Sequence, residues 1–165
     1  MSFVVTINMP IRNANSDDFD AVQALYEQLL AFEKTIDNAI DTEFSYSPDG
    51  AEYIKNITSL AAGHFAVVYE QDGEILGYAS LRDIPEIEYA YRVGAKIAQI
   101  QTLSVDQDNR DSGIGRALIN ECTRIAKINN YTHVKINAMV GNDRANHLYK
   151  SLGFDERVVS YEMEL

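Results

Sequence analysis

The stretch from Ile100 to Leu118 constrains this chain most. It reads as a strand, a polar turn and then a helix that opens on two glycines. Ile100 to Val105 is β-rich, and Asp106 to Asp111 consists of turn-prone or charged residues. From Ile114 the apolar residues recur at Ala117, Leu118, Cys122, Ile125 and Ala126, the spacing of one helical face. A strand that feeds a glycine turn at a helix start leaves several backbone N–H groups without partners. The positive end of the helix dipole lies at the same place. Gly113 and Gly115 carry no Cβ, so a phosphate can approach the main chain closely. The turn is the natural place for a phosphorylated ligand.

Two common phosphate motifs are excluded by the letters. No Lys-Ser/Thr follows Gly115, as a nucleotide P-loop requires, and position 118 is Leu where a dinucleotide fingerprint needs glycine. What remains is Arg110-x-x-Gly113-x-Gly115. It resembles the Arg/Gln-x-x-Gly-x-Gly/Ala element with which the GNAT superfamily of N-acetyltransferases holds the pyrophosphate of acetyl-coenzyme A. A second stretch agrees. Residues Asn142 to Phe154 fill every named position of that family's Asn-x-x-Ala-x-x-Leu-Tyr-x-x-x-Gly-Phe segment, after an apolar strand-like run over Val134 to Val140. The resemblance covers roughly residues 65–160, and the first sixty match only in outline.

The resemblance implies an acetyl-coenzyme A site. Its pyrophosphate would meet Arg110, Asp111, Ser112, Gly113, Ile114, Gly115 and Arg116. Its pantetheine arm would meet the main chain of Leu103, Ser104 and Val105 and the side chain of Asn142. Tyr149 would lie near the sulfur. Asn142 and Tyr149 are seven residues apart, two helical turns, so one helix face presents both. One departure stands out: Asp111 and Ser112 replace the glycine and basic residue that often follow the arginine, and Asp111 brings a like charge to phosphate unless it points outward. Arg116 can compensate.

Acetyl transfer to an amine needs a deprotonated nucleophile, a stabilised oxyanion and a proton for the departing thiolate. No metal or protein nucleophile is required, which suits a chain with three scattered histidines. Tyr149 is the candidate acid. Glu88, with Glu86 or water as alternatives, is the candidate base, since the family often places a carboxylate before the central strand. The expected function is transfer of acetyl from acetyl-coenzyme A to a primary amine of a small molecule or peptide. The alternatives are a catalytically silent acyl-coenzyme A sensor and a purely structural α/β domain.

The net charge of −11 opposes a nucleic-acid partner, which would need a basic face. No apolar run approaches the ~20 residues of a membrane span, and the start lacks a secretory leader pattern. One cysteine, Cys122, excludes an internal disulfide and a cysteine-based zinc cluster, and its place on an apolar helix face reads as core. A cytoplasmic protein of one domain over 1–165 is expected, without metal or membrane contact; homodimerisation is suggested by the family alone.

The elements expected are strands over 4–11, 65–69, 75–81, 98–105, 133–140 and 157–164. Asp72-Gly73 forms a hairpin between the second and third. Helices start at Ser16, at Ser47-Pro48, near Ile114 and at Asn142, the last ending at Gly153. That order gives an α/β (α+β) fold of the GNAT-like acyltransferase type, a central mixed sheet flanked by helices on both faces.

Overall fold

The computed structural model describes residues 10–61 and 63–165. Its elements are β1 (Ile11–Asn13), α1 (Phe19–Glu33), α2 (Pro48–Thr58), β2 (His64–Gln71), β3 (Glu74–Asp83), β4 (Ile97–Val105), α3 (Ile114–Ile128), β5 (His133–Ile136) and α4 (Asp143–Ser151). The five strands lie in chain order, antiparallel from β1 to β4, with β5 parallel to β4. This is the mixed sheet expected. Most of the strand anticipated over 4–11 falls outside the described residues.

Side chains alternate across the sheet and supply two cores. Ala66, Val68 and Tyr78 face α1 and α2, meeting Val22, Leu25, Ile54 and Ile57. Val67, Ala79, Ala98 and Ile100 face α3, whose Ile114, Leu118, Ile119, Cys122, Ile125 and Ala126 are buried. Gly77 is small because a Cβ there would stand 2.9 Å from the Ser104 carbonyl oxygen and 3.1 Å from Ile114 Cγ2. Burial pushes the Cys122 thiol up to about 12, an inert core group.

The decisive irregularity is in β4. Leu81 pairs with Ile100 and Ser80 with Thr102, so Gln101 is an extra residue on β4, a bulge. One added residue reverses which face each later side chain takes. Ala98 and Ile100 lie on the α3 side, whereas Thr102 hydrogen-bonds Tyr53 of α2 and Leu103 and Val105 return to the α3 side. The bulge also ends the pairing with β5, which stops at Ile100 and Ile136. The strand anticipated to run to Val140 therefore ends at Ile136: bent away from β4, residues 137–139 have no ladder to join.

Two further boundaries differ from the sequence reading. The first helix is preceded by a 3₁₀ turn over Ser16–Asp18 that Asn15, not Ser16, caps; the Asn15 side chain accepts from Asp17 N–H while Asp18 accepts from Asn15 N–H. The strand anticipated over 157–164 does not form: the chain leaving α4 runs into solvent and pairs with no strand among the described residues. By contrast the hairpin turn is as read, with Asp72 and Gly73 both at positive φ, and Ser47 caps α2 by accepting from Gly50 N–H.

Arg12 clamps the entry to α1. Its guanidinium donates to both carboxylate oxygens of buried Asp18, at 2.7 and 2.8 Å, and through Nε to Glu70. Burial opposes ionisation of Asp18, but the hydrogen bonds from Arg12 and Asn15 N–H outweigh it and hold the carboxyl below its ordinary range. A depressed folded-state pKa contributes stability above the unfolded value that is lost as pH falls through the folded one. Asp18→Asn should therefore lower stability at neutral pH by about 1–3 kcal/mol. In urea titrations the deficit should be constant above about pH 5 and shrink as pH falls from there through the lowered folded-state value; a deficit independent of pH would remove the ion pair from the account.

Candidate active site

Where β5 leaves β4, a cleft of about 680 Å³ opens through the sheet. One wall is β4 itself. Among the described residues no strand pairs with residues 101–105 on the β5 side, so main-chain groups there face the cleft. Gln101, the bulged residue, is exposed along this wall. Leu103 and Val105 are half-buried against the α3 core, and Ser104 is buried, its hydroxyl donating to the Leu25 carbonyl at 2.7 Å.

The floor is the glycine turn. Gly113 sits at φ +90° in the left-handed region at the start of α3 and, having no side chain, leaves that end uncapped. The first helical bond is donated by Ala117 to Gly113, leaving the N–H groups of Ile114, Gly115 and Arg116 without intrahelical partners. Three guanidiniums surround this turn. Arg110 lies over the Phe32 ring at 5.5 Å and donates to the Val105 carbonyl, and Arg116 donates to Ser151 Oγ at 2.7 Å. Arg144, from the first turn of α4, pairs with Asp111. The like-charge conflict expected at Asp111 is thus met by a cation that the sequence reading did not connect to it, 33 residues away in the chain. Ser112 is exposed and bonds back to the Asn109 carbonyl rather than lining the cleft.

The opposite wall is α4. Asn142 is its cap, its Oδ1 accepting from Ala145 N–H at 3.1 Å, which leaves the amide NH₂ available toward the cleft. Tyr149 lines the same cleft two turns on. The Gly-Phe pair that follows has a local reason. Gly153 at φ +88° lets its own N–H reach the Lys150 carbonyl and Phe154 N–H reach the Tyr149 carbonyl. The same turn packs the Phe154 ring against Tyr149, centroids 6.1 Å apart. Burial, assisted by the Glu33 charge, pushes the Tyr149 hydroxyl up to about 12, so it is protonated at neutral pH.

Glu88 is not at this cleft. It and Glu86 lie exposed in a 3₁₀ turn before β4, outside the lining. The carboxylate that does line it is Glu33, the last residue of α1, and burial raises its pKa. Sequence reasoning passed over Glu33 because an acidic residue ending an amphipathic helix looks like solvated surface. Only the packing of α1 across β4, through Ser104 and Gln28, carries it to the split. Among the described residues no group of three His, Cys, Asp or Glu is placed to hold a metal.

The Acetyltransferase (GNAT) family model matches residues 32–154. The chain belongs to the GNAT acetyltransferase family. A 64-residue stretch is 41% identical to an uncharacterised N-acetyltransferase of Methanocaldococcus jannaschii, covering 39% of this chain and 28% of that protein. A 111-residue stretch is 30% identical to an N-alpha-acetyltransferase of Sulfurisphaera tokodaii, covering 63% of each. The chain thus spans less than two thirds of the curated relatives it matches. Its fold is that of a Bacillus halodurans protein, with a TM-score of 0.79 over 94% of this chain and 98% of that one, at 21% identity.

The glycines of this GNAT site serve different ends, and stability separates them. Gly113→Ala and Gly153→Ala place a Cβ at positive φ and should each lower stability by roughly 1–2 kcal/mol in urea unfolding. Gly115→Ala, whose Cβ would make ordinary contacts with Leu148 at 3.4 Å and Val105 at 3.8 Å, should be neutral or slightly stabilising. A loss at Gly115 equal to that at Gly113 would contradict this division.

Proposed function

We propose that the chain transfers the acetyl group of acetyl-coenzyme A to a primary amine, by direct attack while both substrates occupy the cleft. The observation that carries this reading is the split between β4 and β5. It sets the cationic glycine turn, an unpaired strand edge, Tyr149 and Glu33 around one opening. The uncapped start of α3 with Arg110 and Arg116 suits a pyrophosphate. The edge of residues 101–105 and the Asn142 amide suit a chain of peptide-like amides such as pantetheine.

In this reading the amine nitrogen attacks the thioester carbonyl carbon. A C–N bond forms, the carbonyl oxygen gathers negative charge beside the main chain of β4, and the C–S bond then breaks. Glu33 accepts the proton shed by the amine, replacing Glu88 in that role. Its burial favours proton acceptance, since it destabilises the carboxylate. Tyr149 donates its hydroxyl proton to the departing sulfur. The acceptor enters from the side of α1, where Glu27, Glu33, Asp37, Asp41 and Glu43 give a field that favours a cation. The N-alpha-acetyltransferase relative makes a peptide α-amine the acceptor to try first. The reaction uses no nucleic acid, membrane or metal.

Calorimetry with acetyl-coenzyme A should show binding that Gly115→Glu abolishes while the variant keeps its fold. Tyr149→Phe should bind acetyl-coenzyme A normally and lose kcat by about 10²-fold or more. A folded parent that fails to bind would overturn the reading, and binding without turnover of any peptide or small amine would favour a sensor. In the pH profile, Glu33→Gln should remove the acidic limb, which arises because the base is active only when ionised and which burial of Glu33 places above the ordinary glutamate range. An unchanged limb would return the role to water.

A further inference from the structure

The glycine turn contains a carboxylate that phosphate binding does not call for, on a backbone that its residue type does not favour. Asp111 sits at φ +62° in the left-handed region, where glycine would be free of strain. It lines the cleft and pairs with Arg144, which lines the opposite wall from the first turn of α4. The pair therefore spans the opening. The other two guanidiniums at this end are held by neutral groups: Arg110 by the Phe32 ring and the Val105 carbonyl, Arg116 by Ser151 Oγ. Of the three, Arg144 is the one already bound to an anion. A guanidinium fork that closes on a carboxylate fits a phosphate by the same geometry.

We propose, on the acetyl-coenzyme A reading above, that Arg144 is a phosphate-binding residue of this cleft and Asp111 its resident anion, displaced when a phosphate of coenzyme A arrives. The exchange is a small one. Asp111 is two residues from Gly113, so its partner already stands beside the turn whose N–H groups are free. The Asp111 side chain is 84% exposed, and an exposed ion pair contributes little stability. Phosphate brings more charge and more acceptor oxygens to the same guanidinium. A permanent counter-ion would behave differently, because Arg144 would then matter only while residue 111 carries a charge.

Calorimetry with coenzyme A on the intact chain, on Asp111→Asn, on Arg144→Gln and on the double variant separates the two roles. Both side chains are exposed and asparagine tolerates positive φ, so all four proteins should fold, which circular dichroism checks. Asp111→Asn should tighten binding about 3- to 10-fold, since it removes both a competitor and a like charge. Adding Arg144→Gln to that variant should weaken binding by about 10-fold. Dephospho-coenzyme A then identifies the group bound. A loss that persists with it puts Arg144 on the pyrophosphate, and a loss confined to coenzyme A puts it on the ribose 3′-phosphate; either supports the assignment. A double variant that binds as tightly as Asp111→Asn would overturn it and leave the acetyltransferase reading standing. Unchanged affinity in Asp111→Asn would remove the resident anion. If neither the folded parent nor Asp111→Asn binds coenzyme A, the acetyltransferase reading itself falls, and Arg144 with it.

Discussion

The functional architecture depends on one extra residue in a central strand. Gln101 bulges from β4 opposite β3, and from that point β4 can no longer pair with β5. A bulge bends its strand and strengthens the local twist. Here the consequence is a split sheet whose inner edge keeps its hydrogen-bonding groups available. An unbroken ladder would have satisfied those groups with β5 and left no opening. The bulge thus withholds a stretch of sheet hydrogen bonds along residues 101–105, where the cleft opens.

The rest of the site is arranged by how helices end. The start of α3 is left uncapped by Gly113, and the three unpaired N–H groups with the arginines around them make the cationic end. The finish of α4 is closed by Gly153, and the bond from Phe154 packs a ring on Tyr149. The same glycine chemistry does opposite work at the two ends, leaving donors free at one and consuming acceptors at the other. The electrostatics follow. A chain of net charge −11 concentrates three guanidiniums at one turn, and one of them neutralises the carboxylate that would repel a phosphate.

Much of this was legible from local sequence. The hairpin at Asp72-Gly73, the cap at Ser47, the glycine turn after β4 and the cap and exit of α4 all depend on residues within a few positions of each other, so their letters suffice. The misses share a different cause. The strand to Val140 stops at Ile136 because β4 bends away, and a strand's own sequence does not show whether its neighbour stays. The segment 157–164 has a strand's alternation but no strand partner among the described residues. Glu88 was favoured from its position before the central strand, while the cleft takes its carboxylate from the end of α1.

The sequence by itself determined the family, the glycine turn before α3 and the helix that carries Asn142 and Tyr149, because the backbone geometry those motifs need is encoded by glycine, asparagine and short-range hydrogen bonds. Tertiary structure alone decided which carboxylate faces the cleft, which cation answers Asp111 and where the sheet opens. These depend on register and on contacts between residues far apart in the chain. A one-residue shift in β4 reverses the face of every side chain after it, and nothing in the letters around Gln101 marks that shift.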